Sequence, residues 1–192
     1  MITNLIVPGL DGSGDQHWQT WLEARLPNAV RVKQHDWAVP DLAAWSARVR
    51  YSISQQPGKV RIIAHSFGVL AAVQAGADYR HRIAGALLVA PPDPEKFGVS
   101  DLLPSRSLGF PALLVASFND PWMTASRAAA WAIRWDAQIL NLGPAGHINS
   151  ASGHGPWPGV FLLLDRLGTL ERRNDTVLRG AVPNRRPAPL AA

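Results

Sequence analysis

The sequence predicts an α/β protein built on an open, mostly parallel sheet of six strands with helices on both faces. Short runs rich in β-branched residues alternate with longer segments of helical period, the usual order of strands and crossover helices. Several of the short runs are apolar on both faces, which is typical of strands covered on each side by helices. At 192 residues the chain has the length of one domain.

Each predicted strand is a short apolar run that ends at a turn or at the start of a helix. The six strands span residues 5–7, 30–33, 60–64, 85–90, 112–117 and 138–142. Five helices are predicted at 15–26, 41–55, 67–77, 124–135 and 160–170. The first carries an apolar stripe that includes Trp18 and Leu22, and Asp41 can cap the second. Because ligands bind such sheets at the carboxyl ends of the strands, chemistry is expected in the loops that follow each strand.

The regular pattern ends near residue 170, so we predict a folded domain at 1–170 and a flexible Arg/Pro-rich tail at 171–192. The tail holds five arginines against Glu171 and Asp175, a net charge of +3, which leaves +2 of the formal +5 for residues 1–170. No basic stripe runs along a predicted helix, and the distribution argues against a nucleic-acid partner.

The composition, the length of the apolar runs and the first residues limit the class of protein further. The chain has no cysteine, which excludes disulfides and thiolate metal sites. No run approaches the ~18 apolar residues of a membrane span, and the first residues lack the basic and apolar regions of a signal peptide. We therefore expect a cytoplasmic protein without a membrane partner.

The sharpest motif is the turn from a strand into a helix at Ala64-His65-Ser66-Phe67-Gly68. A serine between small residues at such a turn forms a nucleophile elbow, which lifts its hydroxyl above the sheet. Ala64 stands where glycine is usual, and it still lacks a bulky side chain. The alternative is a serine that only caps the helix after a buried strand.

A serine nucleophile needs a base and an acid that orients it, and both follow in the order expected on this scaffold. Asp120 comes just past the strand at 112–117, and His147 follows the strand at 138–142 in a glycine-rich loop. Singly, each is better explained as a turn aspartate or a loop histidine. The three residues in order, each just beyond a strand, favour a catalytic triad, with His154 as a rival base.

The loop after the first strand, Val7 to Gly14, is predicted to supply an oxyanion hole. The N–H of Leu10 would act there together with the N–H of Phe67. The loop lacks the glycine spacing of a nucleotide-binding loop, and a flexible turn is the alternative for its second half.

Two further residues are predicted near the substrate. Trp122 lies beside the aspartate of the proposed triad, and His65 is expected to pack beside the elbow. No cluster of histidines and carboxylates has metal-ligand spacing, so we expect no metal and no cofactor. A flavodoxin-like cofactor protein would explain the alternating pattern but not the serine, aspartate and histidine.

Four segments together resemble the small serine hydrolases of the retinoblastoma-binding protein 9 and YdeN family. They are Val7-Pro-Gly-Leu10, Ala64-His-Ser-Phe-Gly68, Ser117-Phe-Asn-Asp-Pro121 and Gly146-His-Ile-Asn-Ser-Ala-Ser-Gly-His-Gly155. The resemblance covers about residues 3 to 170. It implies a compact α/β-hydrolase fold without a large lid and a triad at Ser66, Asp120 and His147. The retinoblastoma-protein link of one family member depends on an L-x-C-x-E motif, which a chain without cysteine cannot carry.

From these observations we expect a serine hydrolase that cleaves small ester or activated amide bonds through an acyl-enzyme. Only about 20 residues separate the strands that end near 90 and begin at 112, too few for a large cap. The expected partner is therefore a small acyl substrate, with a carboxylic ester first and an aminoacyl ester or dipeptide-like amide next. The alternative is a catalytically weak protein of the same fold that acts as a binding or regulatory module.

Overall fold

A six-stranded sheet forms the centre of the protein in this computed structural model, which describes residues 1–180. The strands lie in the order β2-β1-β3-β4-β5-β6, and every neighbouring pair is parallel. The predicted mostly parallel sheet is therefore parallel throughout. The strands are β1 (Thr3–Val7), β2 (Ala29–Arg31), β3 (Val60–His65), β4 (Ile83–Val89), β5 (Ala112–Ala116) and β6 (Gln138–Asn141).

Helices cover both faces of the sheet, as the apolar strands predicted. They are α1 (Trp18–Glu23), α2 (Leu42–Ser54), α3 (Phe67–Tyr79), α4 (Ala125–Trp135) and α5 (Val160–Gly180). The alternation of side chains along a strand divides the core in two. Leu5 and Ile62 face the side that α2, α3 and α4 cover, whereas Ile6 and Ile63 face the side of α1 and α5.

Helices α1 and α5 differ most in length from the prediction. Helix α1 begins after His17, whose Nδ1 accepts the N–H of Gln19 at 3.1 Å, and not at residue 15. Helix α5 continues past 170 to Gly180, the last described residue, and Glu171 within it is buried against Arg61. The apolar pattern of the sequence does not indicate this extension, because the helix is held there by an ion pair. The rest of the predicted tail, 181–192, lies outside the described residues.

The strand order places a crevice at the middle of the sheet. The chain passes from β1 outward to β2 and then to β3 on the other side of β1, so the loops after β1 and β3 diverge at their carboxyl ends. Between β4 and β5 there are only two short 3₁₀ turns, Pro94–Phe97 and Ser100–Leu102, so this fold carries no large lid there. Within residues 1–180, no helix combines the length and apolar character needed to cross a bilayer.

Candidate active site

Ser66 sits in a strained turn between β3 and α3, with φ 52° and ψ −132°. A residue with a Cβ rarely adopts this backbone conformation, so neighbouring structure must hold it. The Ser66 N–H donates to the carbonyl of Val89 at 3.0 Å. A Cβ on Gly68 would lie 2.2 Å from the carbonyl oxygen of Pro8, and one on Gly9 would lie 2.6 Å from the Cβ of Ser66. The two glycines therefore permit the loop after β1 to reach the elbow.

Ser66, His147 and Asp120 form a continuous hydrogen-bonded chain. The Ser66 hydroxyl lies 2.8 Å from Nε2 of His147, and Nδ1 of His147 lies 2.9 Å from each carboxylate oxygen of Asp120. Because an ionised carboxylate only accepts, Nδ1 carries the proton and Nε2 is left to accept the serine hydroxyl. The side chain of Asp120 is 3% exposed and that of His147 is 10% exposed, so the hydrogen bonds between these two side chains are largely shielded from water. Such an arrangement can move a proton from serine to imidazole.

His154, the rival base, has other partners. Its Nδ1 lies 3.2 Å from the carbonyl oxygen of Ser152, and its ring packs edge-on against Trp157 with 5.5 Å between the ring centroids. The geometry therefore favours His147 over His154 as the histidine next to Ser66.

The two N–H groups predicted for an oxyanion hole have no protein acceptor within residues 1–180. Phe67 is the first residue of α3, where a helix leaves its N–H groups free. Leu10 lies in a turn fixed on both sides, since the Asp11 N–H donates to Trp37 and the Gly12 N–H donates to Gly9. Both N–H groups are thus left without a protein partner in this part of the chain, and their role as an oxyanion hole stays a prediction.

A cavity of about 350 Å³ opens over Ser66 and His147. One wall is apolar: Trp122 stacks nearly parallel to Phe97 with 6.1 Å between ring centroids, and Leu10 lies on the same cavity. Trp122 was predicted here, whereas Phe97 was missed because it lies in the segment between β4 and β5 that carries no motif. A larger groove of about 470 Å³ lies elsewhere, beside Arg127 and Trp131 on α4, and does not include Ser66.

Two buried histidines lie under the cavity. His65, predicted near the substrate, does line the cavity, but its Nε2 also bonds the carbonyl of His147 at 3.0 Å. Burial lowers the pKa of His65 well below its usual value. Burial, helped by Arg31, lowers the pKa of His17 to about 4. His17, which no motif in the sequence singled out, caps α1 and lines the cavity.

No cluster of three or more histidine, aspartate or glutamate side chains in the described part of the chain has a geometry that could hold a metal ion. The groups that meet at Ser66 are those of acid–base and nucleophilic chemistry.

Comparisons with known proteins identify the family and the fold. The model of the serine hydrolase family matches residues 4–166. A putative YdeN-like hydrolase from Pectobacterium atrosepticum is 39% identical, with a TM-score of 0.83 over 91% of this chain and 92% of its own. The ydeN gene product of B. subtilis is 19% identical, with a TM-score of 0.73 over 88% of this chain and 100% of its own.

A more distant similarity is to Est1E from Butyrivibrio proteoclasticus, solved with ferulic acid bound. It is 14% identical, with a TM-score of 0.66 over 92% of this chain and 90% of its own, and at this identity it shows the fold alone. No protein with a curated description matches the chain.

Proposed function

The chain belongs to the serine hydrolase family, and from that premise we propose that it cleaves small carboxylic esters with Ser66 as nucleophile, His147 as base and Asp120 as the acid that orients the base. The observation that carries the proposal is the hydrogen-bonded chain from the Ser66 hydroxyl through His147 to Asp120. A serine hydroxyl is a weak nucleophile, and an imidazole 2.8 Å away is the group that activates it.

In the proposed acylation step, Ser66 Oγ attacks the ester carbonyl while its proton passes to Nε2 of His147. Asp120 stabilises the imidazolium that forms, and the N–H groups of Leu10 and Phe67 bind the developing oxyanion. The tetrahedral intermediate then expels the alcohol, which takes the proton from Nε2. A covalent acyl group remains on Ser66.

In the proposed deacylation step, water attacks the acyl-enzyme and gives a proton to His147 as it does so. Collapse of the second tetrahedral intermediate releases the carboxylic acid and returns the proton to Ser66. The overall reaction is the hydrolysis of one ester to an acid and an alcohol, with no other reactant.

The size and lining of the cavity support a small substrate with an apolar part. A volume of about 350 Å³ is at the lower end for small-molecule sites. Trp122 is 42% exposed, and with Phe97 it offers an aromatic surface to an acyl chain or an alcohol. We therefore rank short-chain esters first and aminoacyl esters or dipeptide-like amides next.

The proposal is tested by labelling purified protein with a fluorophosphonate, read by intact mass. Wild type is expected to gain one adduct and Ser66→Ala none. Ser152→Ala is a matched control, because Ser152 Oγ lies 3.4 Å from Nδ1 of His154 and is the other serine beside a histidine in this region. It is expected to keep the adduct.

Turnover of p-nitrophenyl butyrate by the same three proteins gives the second measurement. Loss of the serine from an assembled triad lowers turnover by on the order of 10⁶. If folded wild type takes no adduct, or if Ser66→Ala keeps normal turnover, the assignment is wrong.

A further inference from the structure

Residues 145–148, which carry His147 and are called the base loop here, are held by side chains from three other parts of the fold. The N–H of Ala145 donates to Ser117 Oγ at 3.0 Å, and the N–H of Gly146 donates to Asn119 Oδ1 at 2.7 Å. On its other side, the loop has two carbonyl groups that accept from buried rings. Trp18 Nε1–H donates to the carbonyl of Ile148 at 2.9 Å, and the carbonyl of His147 accepts from His65.

His65 is the tether that joins the nucleophile to the base. It precedes Ser66 at the end of β3, and it is 5% exposed. Its Nε2 lies 3.0 Å from the carbonyl oxygen of His147, and the two rings lie 5.1 Å apart. Because a carbonyl only accepts, Nε2 of His65 must carry the proton. One side chain therefore fixes the backbone of the base relative to the backbone of the serine.

The base loop needs such tethers because its own backbone is unfavourable. Ile148 has φ 49°, a conformation that a β-branched residue rarely adopts, and Gly146 has φ 60°. Glycine tolerates its positive φ, but the strain at Ile148, directly after His147, relaxes unless external contacts hold the loop. His65 is also kept neutral by burial, which lowers its pKa, so no charge opposes the positive charge that His147 gains in the reaction.

We propose that His65 is a positioning residue of the hydrolytic reaction. It holds the carbonyl of His147, so that Nε2 of His147 stays within hydrogen-bond distance of Ser66 Oγ. Asn119 holds the same loop from its exposed side. His65 touches neither the reacting carbonyl nor the transferred proton in this role. The inference rests on the proposed function, since it assigns a residue to that same reaction.

The test compares His65→Gln with His65→Asn. The amide nitrogen of glutamine lies about as far from the backbone as Nε2 of histidine and can still donate to the carbonyl of His147. That of asparagine is one bond shorter and cannot reach it. Both variants replace the ring by an uncharged amide, so the pair separates the hydrogen bond from loss of the ring.

The measurements are kcat and KM for p-nitrophenyl butyrate, the rate of fluorophosphonate labelling and the melting temperature. Displacement of a catalytic group by about 1 Å costs on the order of 10²-fold in rate. We therefore expect His65→Asn to lower kcat and the labelling rate about 10- to 100-fold with little change in KM, and His65→Gln to recover to within about fivefold of wild type. A purely structural role would lower the melting temperature of both variants without separating their kcat values.

Asn119→Ala provides a second variant at an exposed position, so that the test does not depend on the folding of a core variant. It removes the acceptor of the Gly146 N–H and is expected to lower kcat about tenfold with KM unchanged, because the base loop is then held less firmly. Normal kcat in His65→Asn, equal impairment of both His65 variants, or normal kcat in Asn119→Ala would overturn the positioning role.

The proposed function can fail separately from this inference. If wild type is neither labelled nor active on esters, the proposed function is wrong and His65 has no such reaction to serve. If wild type is labelled and active and His65→Asn is labelled as fast, only the positioning role is wrong.

Discussion

The two edges of the sheet use left-handed backbone in different ways. Next to the amino ends of β2 and β6, the residues with positive φ are Asn28 and Asp136, whose side chains tolerate this conformation. In the loops that follow the carboxyl ends of the strands, the non-glycine residues with positive φ are Asp11, Ser66, Ala90 and Ile148. Of these, only aspartate tolerates this conformation well.

This difference shows where the fold stores strain. Ser66 and Ala90 are each fixed by an N–H that donates to the neighbouring strand, at 3.0 Å to Val89 and 2.8 Å to Val115. Ile148 is fixed by the ring of Trp18. Strain that tertiary contacts hold in place is typical of functional sites, whereas the amino-end edge follows ordinary turn preferences.

The buried polar groups of the two edges differ as well. At the amino-end edge, Arg61 donates two hydrogen bonds to Glu171, and both side chains are mostly buried. Beneath the cavity at the other edge, His17 and His65 are buried with no carboxylate partner among residues 1–180, and burial lowers the pKa of each. We therefore expect changes at the amino-end edge to affect stability alone, and changes at the carboxyl-end edge to affect the reaction as well as stability.

The largest expected effect is on turnover at the carboxyl-end edge. His147→Asn is expected to lower kcat for p-nitrophenyl butyrate by on the order of 10⁶, because it removes the base. For His154→Asn, in the same loop region, kcat is expected to stay within about threefold of wild type, because the His154 ring contacts Ser152 and Trp157. If the two variants changed places in this assay, His154 and not His147 would be the base.

The largest expected effect on stability is at the opposite edge. Glu171→Gln leaves the Arg61 guanidinium mostly buried beside a neutral amide, and breaking a buried pair in this way costs about 3–5 kcal/mol of unfolding free energy. Urea unfolding measures the loss, and kcat of the folded variant is expected to be unchanged.

Asp175→Asn is the control for this prediction, because the Lys59–Asp175 pair is about half exposed and is expected to contribute less than about 1 kcal/mol. If Glu171→Gln and Asp175→Asn lowered the free energy of unfolding equally, burial of the Arg61–Glu171 pair would not explain the predicted loss.

Acid is expected to act on the carboxyl-end edge through His17. Its pKa is about 4 in the folded protein and 6.5 when unperturbed, so between these values the unfolded chain binds more protons. The free energy of unfolding must then fall as pH drops from about 6.5 to about 4, by about 3 kcal/mol from this residue. Urea unfolding at pH 7, 5.5 and 4.5 (about the span of the titration) follows the change.

His17→Asn is the matched variant, because its side-chain oxygen can still accept the Gln19 N–H and it does not titrate. The pH dependence that remains in His17→Asn reports His65 and the other groups. A variant with the full slope of wild type would show that His17 is not the group that is protonated on unfolding.

Sequence reasoning reached those parts of the fold and site that local patterns encode. Apolar runs located the six strands, and the order of Ser66, Asp120 and His147 after three strand ends identified the residues that the structure brings together. Positive φ at Asn28 and Asp136 was not predicted, but local preference explains it, because these residue types favour such turns.

The rest depends on contacts between distant segments, which no local pattern encodes. Phe97 reaches the cavity only because the β4–β5 segment folds over α3, where its ring packs 5.0 Å from that of Phe67. The Trp18 bond to Ile148 spans 130 residues of chain, and the Arg61 bond to Glu171 spans 110. The backbone conformation of Ile148 is one that local sequence preference disfavours, so it could not be predicted without knowledge of these contacts.

The smallest expected effect measures the stored strain itself. Ser66→Gly and Ser66→Ala both remove the hydroxyl, but only glycine relaxes at φ 52° and ψ −132°, so Ser66→Gly is expected to be more stable by about 1–2 kcal/mol. In an unstrained position glycine would be the less stable of the two by about 0.5–1 kcal/mol, so the sign alone decides the result. At the exposed Asn28, replacement by glycine should change stability by only a few tenths of a kcal/mol, because asparagine already tolerates φ 54°. A Ser66→Gly protein no more stable than Ser66→Ala would mean that the elbow holds no strain, and that the two edges differ in chemistry alone.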